Sequence, residues 1–90
     1  MTNPPKSLKN IDSVKTDAIV RRHLKTAYLD HPTRGPYVTS KKLFEEVKED
    51  IDERFTVELF GVFCEHCSYL EKWSRTYNGS YRYKILQEHF

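Results

Sequence analysis

The sequence predicts an α+β fold in which three helices cover one face of a small three-stranded antiparallel sheet. Apolar residues recur at helical spacing in three segments between residues 12 and 67, and residues 68–86 have the pattern of a β-hairpin. A short β-favouring run, Tyr37-Val38-Thr39, separates the first two helical segments and can add a third strand. Because an isolated hairpin is only marginally stable, its apolar face needs the cover that the helices provide. The predicted order is helix, strand, helix, helix, strand, turn, strand.

The composition is that of one small folded domain. The 90 residues are 38% hydrophobic and 31% charged, enough to bury a modest core but too few for a second domain. We expect residues 1–10 to form a flexible tail, because they contain two prolines and little to bury, and residues 11–90 to form the domain. No apolar run approaches the length of a membrane span, and the start of the chain lacks the apolar segment of a signal peptide. We therefore expect a cytoplasmic protein with no membrane partner.

The first helix is predicted to run from residue 12 or 13 to residue 29. Val20, Leu24 and Ala27 or Tyr28 recur at spacings of three and four and mark its buried stripe, while basic residues take the other faces. The run HPTRGP at residues 31–36 ends the helix, since two prolines and a glycine cannot continue it.

The second helix, KKLFEEVKEDI, follows Ser40, which can serve as its N-terminal cap. Its predicted buried stripe repeats every fourth residue and consists of Leu43, Val47 and Ile51. Lys41 and Lys42 lie in the first turn, where a positive charge opposes the helix dipole by roughly 0.3 to 1 kcal/mol. Two interpretations of these lysines stay open. Either they are solvated, or they bind a phosphate together with the free backbone N–H groups of the helix end.

The third helix follows the polar turn Asp52-Glu53-Arg54 and extends to about Cys67. Its buried stripe is predicted to consist of Phe60, Phe63, Cys64 and Cys67, which share helical spacing. The two cysteines form a CxxC motif, but the sequence has no second CxxC and no spaced histidine pair, so we expect free thiols in the core and no metal. With no marked base for a nucleophile and no glycine-rich phosphate loop, we expect neither an enzyme nor a cofactor.

The hairpin is predicted from the dipeptide Asn78-Gly79, which readily adopts the positive φ angles of a tight turn. Two loop lengths compete. A two-residue loop pairs Trp73 with Lys84, whereas a three-residue loop at residues 77–79 pairs Trp73 with Tyr83. We favour the three-residue loop, because it places aromatic residues opposite one another and keeps lysines out of the core.

The favoured register separates an apolar face from a polar face. The apolar, core-directed face is predicted to carry Trp73, Tyr81, Tyr83 and Ile85. The opposite face is predicted to carry Lys72, Ser74, Thr76, Arg82 and Lys84. Arg75 then pairs with Tyr81 beside the turn. In either register the hairpin has a basic surface.

Charge is unevenly distributed along the chain, although the net charge is only +2. Acidic residues concentrate at residues 45–58, which we interpret as a solvated acidic face. Basic residues dominate residues 15–25, the start of the second helix and the hairpin. The sequence therefore predicts a basic side that suits an anionic partner.

The order of elements resembles the winged helix-turn-helix superfamily, in particular the small DNA-binding domains of archaeal regulators and their viruses. The resemblance rests on three segments: PYVTSKKLFEEV as first strand and second helix, TVELFGVFCEHC in the position of the recognition helix, and LEKWSRTYNGSYRYKI as strand, wing and strand. It implies a winged helix fold and a small transcriptional regulator that binds double-stranded DNA, and we expect a homodimer because one module offers few contacts.

Carried onto this chain, the resemblance implies that the third helix enters the major groove while the hairpin, as the wing, approaches the backbone or minor groove. The implied DNA-contacting residues are Lys41, Lys42, Arg54, Glu58, Arg75, Asn78, Arg82 and Lys84. The outward face of the third helix also carries two glutamates, Glu58 and Glu65, which repel phosphates. The alternative is therefore a winged helix that binds a protein through the third helix and does not bind DNA.

Overall fold

The structure, a computed structural model, describes residues 13–31, 33–75 and 81–90. Within these ranges its elements are α1 (Ser13–Leu24), a π-helical turn (Lys25–Leu29), β1 (Tyr37–Thr39), α2 (Ser40–Val47), α3 (Val57–Glu65), β2 (Leu70–Arg75), β3 (Tyr81–Ile85) and a final 3₁₀ turn (Gln87–His89). The predicted α+β class, with three helices and a small antiparallel sheet, is confirmed. The expected N-terminal tail and the loop with Asn78 lie outside the described residues.

The sheet has the strand order β1-β3-β2, and both pairs of neighbours are antiparallel. Val38 of β1 lies opposite Tyr83, and both are buried against the helices. At the loop end of the hairpin Arg75 lies opposite Tyr81, as the three-residue loop predicts. Ser74 lies opposite Arg82 in the same register, and the register changes at Trp73, two residues before Arg75.

A β-bulge at Trp73 changes which residues of β2 face the core. Lys72 lies opposite Tyr83 and Ser74 lies opposite Arg82, so Trp73 is an extra residue on β2. The predicted pairing of Trp73 with Tyr83 is therefore wrong, and Trp73 is 54% exposed instead of buried. The physical reason is the period of two in a strand: one inserted residue moves every residue before it to the other face.

The same shift places Lys72 on the core side of the sheet, which contradicts the predicted face. Its ammonium group is not buried, because the side chain lies at the sheet margin. Nζ lies 2.6 Å from Oε1 of Glu65 and 4.0 Å from the ring centroid of Tyr81. The aliphatic stem of a lysine can cover apolar surface while its charge stays in water and pairs with a carboxylate.

The core lies between the sheet and the helices. The predicted stripes of α1 and α3 are buried, including Val20, Leu24 and Tyr28, and Phe60, Phe63, Cys64 and Cys67. Phe60 is fully buried at the centre of an aromatic cluster, with ring centroids at 5.4 Å from Phe44, 5.9 Å from Phe55 and 5.6 Å from Phe63. No helix in the described residues is both long and apolar enough to cross a membrane.

Two details of α2 differ from the sequence prediction. Thr39, not Ser40, caps the helix, because its hydroxyl oxygen accepts a hydrogen bond from the Lys42 N–H at 3.1 Å. The helix ends at Val47, so Ile51 packs against the core from the following turn instead of completing the helical stripe. Because Thr39 is both the last residue of β1 and the cap of α2, the first turn of α2 follows β1 directly.

A carboxylate network joins the end of α1 to α2. Glu46 of α2 accepts a hydrogen bond from the hydroxyl of Tyr28 at 2.9 Å and one from Arg34 at 3.1 Å, and it lies 2.8 Å from Nε2 of His23. The Glu46 side chain is 21% exposed. Its expected place in a solvated acidic face is therefore wrong, since three elements converge on it.

Candidate nucleic-acid interface

The sheet has one face turned away from the helices, which we call the outer face. The register and the burial of alternate residues place on it Tyr37 and Thr39 of β1, Glu71, Trp73 and Ser74 of β2, and Arg82 and Lys84 of β3. Arg82 and Lys84 thus lie on the same face of the central strand, as predicted. Lys72, which was expected to join them, lies on the opposite side.

The first turn of α2 lies next to this face. Arg82 is opposite Thr39, the residue that caps α2, and Lys41 and Lys42 follow within that helix's first turn. Both lysines are exposed. The register therefore brings three of the predicted contact residues to one corner of the molecule, where β1 passes into α2.

Arg75 lies at the end of β2, opposite Tyr81, and is exposed. Its guanidinium carbon is 5.8 Å from the Tyr81 ring centroid. Because Tyr81 is half-buried on the core side, Arg75 projects beside the hairpin end and not over the outer face. Asn78, the remaining hairpin residue of the predicted set, lies outside the described residues.

Within the described ranges, some basic side chains are paired with carboxylates, whereas those predicted to contact phosphates form no ion pair. Arg21, Arg34, Arg54 and Lys72 each form an ion pair shorter than 3.2 Å. Among the described residues no ion pair involves the following bases: Lys41, Lys42, Arg75, Arg82 and Lys84. These charges are available to an anionic partner without first breaking an internal pair.

Arg54, one of the predicted DNA-contacting residues, is already paired with a carboxylate of this chain. It lies in the turn before α3, and its Nε and terminal nitrogen contact the Asp52 carboxylate at 3.0 and 2.6 Å. These hydrogen bonds, with one from the Arg54 backbone, lower the pKa of Asp52 to about 2. Arg54 therefore stabilises the turn before α3, and a DNA base would compete with Asp52 for its guanidinium.

The exposed side of α3 is acidic and partly apolar. Glu58 and Glu65 are exposed, Val57 is 38% exposed, and Glu65 is paired with Lys72. A Cβ built on Gly61 meets no atom within 4 Å, so this side of the helix is open. The described part of α3 carries no basic residue. The charge on this side of α3 therefore opposes the approach of phosphates.

An exposed aromatic pair on the outer face was missed by the sequence prediction. The rings of Tyr37 and Trp73 are in contact, with centroids 5.6 Å apart, and both side chains are exposed. Lys84 lies below them, its Nζ 5.8 Å from the Trp73 ring centroid. No local signal marks this pair, because an alternating aromatic pattern favours a core position and the bulge reverses it.

The CxxC motif lies in the core. Cys64 is fully buried and Cys67 is 8% exposed, with the Cys67 thiol donating to the Phe63 carbonyl at 3.3 Å. Burial raises the pKa of both thiols, that of Cys67 to about 12. In the described parts of the chain no group of three histidine, cysteine or acidic residues is arranged to hold a metal ion.

We expect treatment of the purified protein with a strong zinc chelator to leave its melting temperature unchanged. Thiolates are the form that binds zinc, and burial disfavours them here. The measurement is thermal unfolding with and without chelator, alongside metal analysis of the purified protein. Stoichiometric zinc together with melting on chelation would show that the motif is a structural metal site.

Comparison of the chain with protein-family models, curated proteins and solved structures gave no match. Basic residues that form no ion pair among the described residues lie on the hairpin and the first turn of α2, whereas α3 is acidic on its open side. This arrangement can hold phosphates from the hairpin side of the molecule, and it can offer α3 to a second partner.

Proposed function

We propose that this protein is a winged helix that binds double-stranded DNA as a small cytoplasmic transcriptional regulator. The order of elements and the strand order β1-β3-β2 are compatible with this layout, with α2 and α3 forming the helix-turn-helix pair and the β2–β3 hairpin forming the wing. The proposal requires no enzymatic activity and no cofactor.

The observation that carries the proposal is the set of basic residues on the hairpin and the first turn of α2 that form no ion pair among the described residues. Phosphate contacts supply most of the affinity of non-specific DNA binding, and each one releases condensed counterions. Arg82, Lys41 and Lys42 converge where β1 meets α2, and Arg75 projects at the hairpin end. Contacts from both places would span more of a duplex than either alone.

In this proposal α3 contributes little affinity. Glu58 can accept a hydrogen bond from the N4 amino group of cytosine, and Arg54 can contact a base only by leaving Asp52. The hairpin and α2 position the protein through phosphates, which carry no sequence information. A homodimer would double these contacts, which is why we expect one on DNA.

The test is a titration of labelled random-sequence duplex DNA, followed by fluorescence anisotropy at several salt concentrations. We expect affinity to fall steeply with salt, and we expect the double variant Arg75→Ala/Arg82→Ala to flatten the slope of log affinity against log salt by about two. Affinity for all duplexes should fall similarly, because phosphates are common to every sequence. The fold, followed by circular dichroism, should be unchanged.

The matched control is Arg22→Ala/Lys48→Ala, which removes the same charge elsewhere. Both residues are exposed; Arg22 lies on α1, and Lys48 follows the end of α2 opposite to its basic first turn. We expect a slope close to that of the parent. If both double variants flatten the slope equally, binding depends on net charge and not on the hairpin residues. If the parent does not bind duplex DNA at low salt, the proposal is wrong.

A protein partner of α3 is the second candidate function, favoured by the exposed Val57 and the open surface at Gly61 between acidic residues. Such a partner would present an apolar strip with basic neighbours. If the parent binds no duplex at low salt, this candidate takes precedence. Glu58→Lys would then weaken capture of the partner, whereas the same change would strengthen binding to DNA by removing a repulsive charge.

A further inference from the structure

Tyr37 and Trp73 form a continuous aromatic surface on the solvent side of the sheet. They belong to the two edge strands, β1 and β2, and their rings meet across the central strand at a centroid distance of 5.6 Å and an interplanar angle of 54°. Tyr37 is 41% and Trp73 is 54% exposed. Single exposed apolar residues are ordinary on a protein surface, but two contacting aromatic rings suggest a binding site.

The bulge in β2 is what turns Trp73 outward. Without the extra residue, Trp73 would lie opposite Tyr83, which is 2% exposed, and would join the core. A large aromatic side chain gains most from burial, and Trp73 forgoes that gain in its outward position. Bulges often re-aim a side chain beside a functional site.

The charge around the aromatic pair selects its partner. Arg82 and Lys84 lie on the same face of β3, Glu71 is the acidic residue of that face, and among the described residues these bases form no ion pair. Exposed aromatic rings beside cationic side chains are the combination that binds single-stranded nucleic acid. Its unpaired nucleobases stack on the rings while its phosphates contact the cations. A duplex offers no such contact, since its base faces are already stacked.

We propose that the outer face binds single-stranded DNA, with an unpaired base stacked on Trp73 or Tyr37 and the adjoining phosphates held by Arg82 and Lys84. The site itself follows from the aromatic pair and its charges. The choice of DNA over RNA rests on the proposed function, because Arg82 and Lys84 also belong to the hairpin assigned there to duplex DNA.

Trp73 is the only tryptophan in the chain, so tryptophan fluorescence, excited selectively over that of the six tyrosines, reports on this site. The first experiment titrates the parent with a thymidine oligonucleotide of about ten nucleotides, long enough for one small binding site. We expect saturable quenching as a base stacks on the indole. An abasic strand with the same phosphates should bind more weakly and should not quench.

The second experiment measures anisotropy of the labelled oligonucleotide with variants. We expect Trp73→Ala to weaken binding by about tenfold or more and Trp73→Phe to keep most of the affinity, because a phenyl ring still stacks. Phe90→Ala is the matched control. It removes an aromatic residue that is 37% exposed and contacts Tyr69 instead of the outer face. Its affinity should equal that of the parent.

Several results would overturn the inference: no binding of the oligonucleotide, unchanged binding by Trp73→Ala, or equal quenching by the abasic strand. If the matching uridine RNA binds more tightly than the thymidine oligonucleotide, the partner is RNA and not DNA. A change in tryptophan emission with protein concentration alone would identify the face as a contact between copies of the chain. A parent that binds duplex but not single strands refutes only this inference, and the reverse result refutes only the proposed duplex function.

Discussion

Replacing Phe60 by alanine should lower the free energy of unfolding by about 3 to 5 kcal/mol. Phe60 is fully buried, and its ring lies within 6 Å, centroid to centroid, of Phe44, Phe55 and Phe63. Truncation removes the transfer free energy of the ring and leaves a cavity that the three neighbours fill only in part. The free energy of unfolding of a small domain is only about 5 to 15 kcal/mol, so the variant should lose much or all of its stability and unfold at a lower temperature than the parent. Urea unfolding followed by circular dichroism measures the loss.

Trp73→Ala is the control, since it deletes an aromatic side chain of larger size from an exposed position. Its contact with Tyr37 and Lys84 is a surface contact, so we expect a loss of about 1 kcal/mol or less. This reverses the sequence-based expectation that Trp73 is a core residue. Equal destabilisation by the two substitutions would mean that Trp73 packs inside the domain and that the bulge is misplaced.

Those parts of the fold that depend on local pattern were predictable. β1 has the expected bounds, Tyr37–Thr39, because its β-favouring residues are preceded by Pro36 and followed directly by α2. The apolar stripe of α3 is buried as its spacing predicts, since Phe60, Phe63 and Cys64 share one side of any helix with that sequence. The pair Arg75–Tyr81 matches the register favoured from the sequence.

The bulge was not predictable from the same information. It depends on how β2 packs on α3: with Trp73 as the extra residue, Leu70 lies opposite Ile85 in the core and Lys72 reaches Glu65. A regular strand would instead place Glu71 on the core side. Avoiding a buried carboxylate is a tertiary effect, and the aromatic pattern around the turn concealed it.

The candidate site was predictable only where its strand is regular. Arg82 and Lys84 keep their predicted face because β3 is regular, whereas Lys72 and Trp73 exchange faces because β2 is not. Arg54 was expected to be available, but Asp52, two residues earlier, already binds its guanidinium. Glu46 shows the wider limit, since its partners come from segments 12 to 23 residues away and no local pattern relates them.

The second large effect is expected at Glu46. Replacing it by alanine should lower the free energy of unfolding at neutral pH by about 2 to 3 kcal/mol, because hydrogen bonds to a charged group are lost and the hydroxyl of the buried Tyr28 is left without its acceptor. Arg34, which stacks over the Tyr28 ring at 4.5 Å, loses its ion pair at the same time. Glu46→Gln should cost less, since one acceptor oxygen remains.

The effect should depend on pH with a definite sign. Burial tends to raise the pKa of Glu46, but hydrogen bonds from His23, Tyr28 and Arg34 outweigh it and lower that pKa below its usual value. A carboxyl with a lowered folded pKa stabilises the protein fully above its unfolded pKa of about 4.3, and this contribution is lost as pH falls through the folded pKa. The advantage of the parent over Glu46→Gln, measured by urea unfolding, should therefore be complete at about pH 7 and shrink as the pH falls below about 4.3. Glu49→Gln, at an exposed position after α2, should match the parent throughout. An advantage that stays constant on acidification would show that Glu46 does not act through its charge.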